Sequence, residues 1–237
     1  MTAEHMGSVA VQLSKYGYAV VPDVLDRAET SAAARSTEQV LTRVGSRRLL
    51  DERWCQDLAD RLAGNPCIRG MLPLNAQAVQ CTSFVKTGAS NWLVSLHQDL
   101  SLPVAERVSS AHCKGWSEKE GETFVQPPIA VLDDTLAVRV HLDDCRADNG
   151  ALRVIRGSHL LGRLSPSDIA RVRKEAEEVV VSVPEGGAML MRPLLLHASS
   201  KTTSENLRRV LHFVYGPGSL PEGLRWPARK RSCPSGS

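Results

Sequence analysis

The chain lacks any stretch near the roughly 18 consecutive apolar residues that a membrane-spanning helix needs, so a membrane-embedded role is not expected. It also lacks an N-terminal pattern of the signal-peptide kind. Its six cysteines (Cys55, Cys67, Cys81, Cys113, Cys145 and Cys233) form no CxxC pair and no zinc-finger spacing. Reduced thiols in a cytoplasmic protein are the expectation. Strong charge is missing too: the net charge is +3, and the one dense basic run, Arg229-Lys-Arg231, sits beside Pro and Ser as a solvated tail would. A nucleic-acid partner is therefore not expected. No internal repeat or low-complexity block interrupts the chain.

What is present fits a packed globular protein. Of 237 residues, 42% are apolar and 23% charged, close to ordinary globular usage. The expectation is a single domain over 1–237, with its core at about 16–226 and a flexible tail at 227–237. Tyr16 to Pro22 alternates like a strand and ends at proline. Arg27 to Val44 and Glu52 to Leu62 carry apolar positions at helical spacing. From about Ala78 the pattern turns to strands separated by Gly, Pro and Asp/Asn turns, at 78–86, 92–97, 128–132, 136–143, 151–155, 178–183, 187–191 and 207–215. Asn149-Gly150 reads as a hairpin turn between two of them. Gly162 to Glu178 reads as a surface helix capped by Ser165 or Ser167. Many strands behind a group of helices predict a mainly β fold with flanking helices: a double-sheet jelly roll with an N-terminal helical layer. Leu100 to Gln126 breaks the pattern and reads as a lid or binding loop.

The chemistry lies in three separated elements. His97-Gln-Asp99 places two metal-binding side chains on one face of a strand, because alternate residues point the same way. His197 follows an apolar run, and Arg208 lies eleven residues beyond it. Each element alone is ordinary, a surface pair or a core histidine or a surface arginine. Together they match a recurring arrangement. Two histidines and one carboxylate hold one face of an Fe(II) ion and leave three positions for a co-substrate and O₂. An arginine beyond the last ligand can grip that co-substrate's far carboxylate as a bidentate pair. Alternation through Leu207 to Tyr215 puts Arg208, Val210, His212 and Val214 opposite the large apolar set, and in a jelly roll the polar face can be the inner one. Arg139 and His141 are second-tier inward candidates, while Trp92, Trp116 and the 100–126 loop are candidates for shaping a substrate pocket. His159 follows Gly157-Ser158 and should order a turn; His5, His112 and His212 have no chemical company.

These residues resemble the phytanoyl-CoA dioxygenase family of Fe(II)- and 2-oxoglutarate-dependent oxygenases. The likeness runs from about Tyr16 to Trp226. It rests on His97-Gln-Asp99, on the block from Asp143 to His159, and on His197 with Arg208. The resemblance implies a double-stranded β-helix, a cupin-like jelly-roll barrel, with His97, Asp99 and His197 as iron ligands and Arg208 on the distal carboxylate of 2-oxoglutarate. It further implies that Ser199 helps hold that carboxylate and that Gln80 reaches the co-substrate. The implied reaction hydroxylates or otherwise oxidises a small-molecule metabolite, consumes O₂ and releases succinate and CO₂. Related halogenases replace the carboxylate ligand with a small residue, so Asp99 favours oxidation over halogenation. Nothing resembles a dedicated CoA-binding element. Two rival readings keep the barrel: a zinc or manganese hydrolase or isomerase, which would not need Arg208 or O₂, and a non-catalytic ligand-binding barrel. Substrate identity and oligomeric state are not legible.

Overall fold

Three antiparallel sheets and a layer of helices make up the computed structural model of this chain, which describes residues 3–40, 46–87, 91–203 and 207–228. Helix α1 (Ala3–Tyr16) leads into strand β1 (Tyr18–Val21), followed by α2 (Arg27–Val40), α3 (Arg53–Gly64) and the short α4 (Pro66–Arg69). Strands β2 (Gln77–Lys86), β3 (Val94–His97), β4 (Leu102–Val104), β5 (Lys114–Lys119) and β6 (Glu122–Gln126) come next. The short helix α5 (Ile129–Asp133) precedes β7 (Leu136–His141) and β8 (Leu152–Val154). Helix α6 (Pro166–Glu175), β9 (Val179–Val181), β10 (Ala188–Met191), β11 (His197–Ser199) and β12 (Arg208–Gly216) complete the order.

The major sheet runs β1-β10-β7-β12-β2, the minor sheet β3-β11-β8-β9, and β4-β6-β5 form a third sheet of their own. This is the expected jelly roll, with the N-terminal helices α1 to α4 gathered on one face of the major sheet. Alternation along its strands explains the division. Ala19, Val21, Val138, Val140, Leu190, Leu211, Phe213 and Tyr215 join Leu13, Leu49, Cys55, Leu62 and Ile68 in one buried cluster against the helices. The Tyr215 hydroxyl completes that contact by donating to the Ala59 carbonyl at 2.8 Å. On the opposite face, cross-strand register places Arg208 beside Lys86, and His212 between Thr82 and Arg139. The polar face therefore lines the interior, as the alternation of Leu207 to Tyr215 suggested.

Several local expectations fail for physical reasons. Residues 128–132 form helix α5, not a strand: Pro128 occupies the N-cap, Val131 and Leu132 are buried side by side, and Ile129 is exposed. A short apolar run does not separate strand from helix by periodicity alone. Asn149-Gly150 does not close a hairpin, because β7 and β8 belong to different sheets. The Asn149 side chain instead bonds the Arg146 amide and the Asp144 carbonyl, and Gly150, at φ +80°, carries the chain across. A Cβ there would stand 2.9 Å from the Ser200 carbonyl oxygen.

The 100–126 segment is not an irregular loop: β5 and β6 form a hairpin through Glu120 and Gly121, both at positive φ, with β4 along its side. Glu-Gly is a weaker turn signal than Asn-Gly or Asp-Gly, which hid this sheet. Helix α1 precedes the first strand and carries no clear signal in the sequence, and β11 is short enough to read as the end of an apolar run. Helix α6 carries the expected cap, with Ser165 and Asp168 bonding each other's backbone amides in a capping box. The 41–44 end of the expected Arg27 to Val44 helix, and Arg229-Lys-Arg231 with Cys233 and most of the expected tail, lie outside the described residues. Among the described residues no helix is long and apolar enough to cross a membrane, and Cys55, Cys67, Cys81, Cys113 and Cys145, all buried, are in no disulfide.

Candidate metal centre

His97 and His197 face each other as a directly paired couple on the antiparallel strands β3 and β11. Their ring centroids stand 4.3 Å apart. Asp99 follows on the same side as His97, with its backbone amide donating to the Pro193 carbonyl at 2.9 Å. One ligand atom from each of His97, Asp99 and His197 can be chosen so that all lie within 4.8 Å of one another. The Asp99 carboxylate reaches both rings: Oδ1 is 3.6 Å from His97 Nε2, and Oδ2 is 3.6 Å from His197 Nε2.

Both imidazoles are held in the same way. His97 Nδ1 bonds the Ser95 carbonyl at 2.8 Å, and His197 Nδ1 bonds the Leu195 carbonyl at 2.9 Å. A carbonyl only accepts, so each Nδ1 carries a proton, and Nε2 is the nitrogen that each ring turns toward the shared centre. Burial pushes the His197 imidazole down to about 4, with Asp99 opposing, so it is neutral at ordinary pH. Burial also pulls His97 down, but neighbouring Asp99 outweighs it and raises this imidazole above its usual value. Desolvation opposes ionisation of Asp99, yet His197, His97 and His212 together hold its carboxyl well below the usual range. A carboxylate and two Nε2 atoms facing one centre are a suitable facial set for a divalent iron.

Gln98 separates the two ligands of the first motif and points the other way. It donates to the Gly162 and Leu194 carbonyls at 2.8 and 2.7 Å and accepts from the Leu164 amide at 2.9 Å. It thereby ties β3 to the segment leading into β11, which carries the second histidine. Alternation alone, with the charged pair facing inward, marks Gln98 as the outward tether.

The three residues open into a cavity of about 400 Å³ between the two larger sheets, roofed by residues of the third. Arg208 lies in its wall, 2% exposed, with Nε and Nη1 buried and without a hydrogen-bond partner. Two orphaned donors on one guanidinium are what a carboxylate would satisfy. Beside it, Lys86 is 1% exposed and donates to Ser199 Oγ at 2.7 Å and to the Ser200 carbonyl at 2.5 Å. Burial, then the charge of Arg208, pushes the Lys86 ammonium down to about 8. Its ammonium also stands 5.4 Å from the centroid of Trp92, which lines the cavity as expected. Ser199 donates in turn to the Gly150 carbonyl at 3.0 Å, so its hydroxyl reaches the Arg208 region through Lys86. Gln80 lines the cavity and donates to Thr82 Oγ1 at 2.8 Å.

Arg139 also lines the cavity. Its Nη1 donates to His212 Nδ1 at 2.9 Å, and its guanidinium lies over Phe84, 5.2 Å from the ring centroid. Since arginine only donates, His212 Nδ1 must accept and its Nε2 must carry the proton. That Nε2 points at Asp99 Oδ2 from 3.9 Å. His212 is therefore excluded as a fourth ligand in this arrangement but stands beside the centre, contrary to the expectation that it lacks chemical company. Burial first, then Arg139, lowers its imidazole to about 3.

Two expected site residues do not join the cavity. Trp116 packs in the lid with Val104, Cys113 and Val125, under Arg107, outside the cavity wall. His141 continues the inward face of β7 but is 2% exposed, with neither ring nitrogen hydrogen-bonded, and does not line the cavity. His159 bonds the Ser14 carbonyl through Nε2 at 3.1 Å, which ties its segment to the end of α1. His112 is exposed on the lid. Lys86, His212, Gln98 and Lys119 escape sequence reasoning. The register that pairs Lys86 with Arg208 is not readable from sequence, but the shared face of Arg208 and His212 is.

Fold and site together resemble one class, the non-haem iron enzymes whose jelly roll holds the metal on two histidines and a carboxylate. The chain belongs to the phytanoyl-CoA dioxygenase family, whose sequence pattern it matches over residues 13–210. Among solved structures it is similar to the non-heme alpha-ketoglutarate-dependent carbocyclase SnoK from nogalamycin biosynthesis. That match has a TM-score of 0.68 at 15% identity and covers 98% of this chain and 88% of SnoK. It is also similar to HygX from Streptomyces hygroscopicus, solved with nickel and 2-oxoglutarate bound (TM-score 0.64, 18% identity, 92% of this chain, 88% of HygX). The epimerase SnoN, in complex with Fe3+, alpha-ketoglutarate and nogalamycin RO, matches at TM-score 0.61 and 16% identity over 96% of this chain and 94% of SnoN. No curated protein sequence matches it.

Proposed function

We propose that this chain is an Fe(II)- and 2-oxoglutarate-dependent oxygenase that hydroxylates, or otherwise oxidises, a small molecule. One observation carries the reading: a two-histidine, one-carboxylate cluster with both Nε2 atoms turned to one centre, sharing a cavity with a buried arginine whose Nε and Nη1 lack partners. His97, Asp99 and His197 would hold the iron, and Arg208 the distal carboxylate of 2-oxoglutarate. Bound together, iron and 2-oxoglutarate supply the activation of O₂ and the oxidation of a C–H bond, with succinate and CO₂ as by-products.

The chain's own part is placement. The Ser95 and Leu195 carbonyls fix which imidazole nitrogen faces the ion. Lys86 adds a second positive charge beside Arg208, and Ser199 holds Lys86 in position. Arg139 fixes the tautomer of His212, which presents an N–H toward Asp99. Leu102, Lys119, Phe124 and Gln126 of the lid cover one side of the cavity. Such orientation is the protein's contribution to a cofactor-driven oxidation. Carbocyclisation and epimerisation, the activities of the similar SnoK and SnoN, use the same class of centre with a different substrate fate.

Anaerobic titration of Fe(II)-loaded protein with 2-oxoglutarate tests this directly, through the visible charge-transfer band of the chelate. Arg208→Ala should weaken co-substrate binding by tenfold or more, about 1.4 kcal/mol per decade, as loss of a charge-assisted pair implies. An unchanged affinity removes the role given to Arg208 and favours a zinc or manganese enzyme in the same barrel.

A further inference from the structure

The charge on the cavity wall is one-sided. Among the described residues its lining includes Arg47, Lys86, Lys119, Arg139 and Arg208, against Asp99 as the one carboxylate. Arg47 has its own partner in Glu120, at 3.1 Å. The other four cations have no carboxylate partner in any ion pair of the described residues.

On the oxygenase reading, on which this inference rests, a divalent iron more than offsets Asp99, and the 2-oxoglutarate dianion removes two positive charges. Three remain. Even with Lys86 uncharged, two remain. Burying unpaired like charges together is unfavourable unless an anion joins them. Arg208 and Lys86 sit next to each other and suit the co-substrate carboxylate.

Arg139 and Lys119 are then left over, and they approach from different elements. Arg139, on β7, is 5% exposed, and its Nε is buried without a partner. Lys119, at the end of β5, reaches the cavity from the lid, with its ammonium 4.7 Å from the Phe124 ring centroid. Both line the same cavity as Asp99.

We propose that the substrate is a small organic acid whose anionic group is held by Arg139 on the barrel wall, with Lys119 closing on it from the lid. Phe84, Trp92, Phe124, Leu100 and Leu152 supply an apolar surface for the rest of such a molecule. A charged head and an apolar body are the two features this wall can recognise at once.

Benzoate and benzamide, equal in shape and different in charge, are suitable probes. Each is titrated calorimetrically into Fe(II)-loaded protein under saturating 2-oxoglutarate without O₂. Benzoate should bind saturably, and benzamide at least about tenfold more weakly, the scale of one lost charge-assisted contact. Lys119→Gln should remove that preference while the chelate band still forms, and Arg139→Gln should remove it as well. Equal binding of the two probes, no saturable benzoate binding, or an undiminished preference in both variants overturns the proposal. Should Arg139→Gln fail to fold, Lys119→Gln decides alone. Failure of the chelate band in the unaltered protein would instead sink the oxygenase reading, and the same two probes on iron-loaded protein would still judge the acid.

Discussion

The two faces of the major sheet are built from the same strands and obey opposite rules. On the outward face, Leu211, Phe213 and Tyr215 pack against helices and are essentially inaccessible. On the inward face of the same strand β12, Arg208 and His212 are equally buried, yet their neighbours are Lys86 and Arg139. One face removes apolar area from water and supplies stability. The other concentrates like charge where solvent cannot screen it, which works against stability and suits a ligand that arrives with the opposite charge. Burial alone therefore says little about what a residue does here; the partner it lacks says more.

The largest expected effect belongs to the packed face. Phe213→Ala should lower the unfolding free energy by about 3–5 kcal/mol, measured by urea denaturation, as large-to-small core changes do. A cost as large from an inward-facing substitution would break the division. Lys86→Met provides that comparison. It removes a buried cation next to Arg208, so stability without co-substrate should hold or rise, within about 1 kcal/mol, while 2-oxoglutarate affinity falls several-fold.

A smaller effect should follow pH. Burial holds His197 and His212 neutral, with values lowered to about 4 and about 3, and pushes His141 well down too. The unfolded chain takes up protons at these positions near the ordinary value of about 6.5, and the native state does not. Their contribution to stability is therefore complete above about pH 6.5 and is lost as pH falls toward 4. Thermal melts of metal-free protein should decline over that window, and His141→Asn should flatten the decline. A flat profile in the unaltered protein would mean that these imidazoles gain no protons on unfolding.

Much of this site is legible in the amino-acid sequence, for reasons that can be named. Period-two alternation puts His97 and Asp99 on one side of a strand and Arg208 opposite the apolar set, and the family-like block between Asp143 and His159 sets the order of elements. That block proves architectural: Asp143 clamps Arg209 through Oδ1 at 2.7 Å and Oδ2 at 2.9 Å, and Asp144 caps the Glu185 amide at 2.9 Å. Lys86 is not legible because a lysine closing a strand normally reaches solvent, and only cross-strand register brings it to Arg208. His212 is within reach, since the same alternation that selects Arg208 selects it. The crossing at Asn149-Gly150 misleads because a local turn signal says nothing about which sheet receives the next strand. Trp116 misleads because a lid has two sides, and its ring lies on the outer one.

His97 and His197 are directly opposed partners on neighbouring strands, and β3 is the outermost strand of its sheet, bonded along one side only. An ion between those rings would act as a rivet for that margin, joining the lip of the barrel to its body. Loss of the metal should then loosen the lip before the helical layer, exposing the chain around 91–97 to proteases while the far end of the molecule keeps its protection.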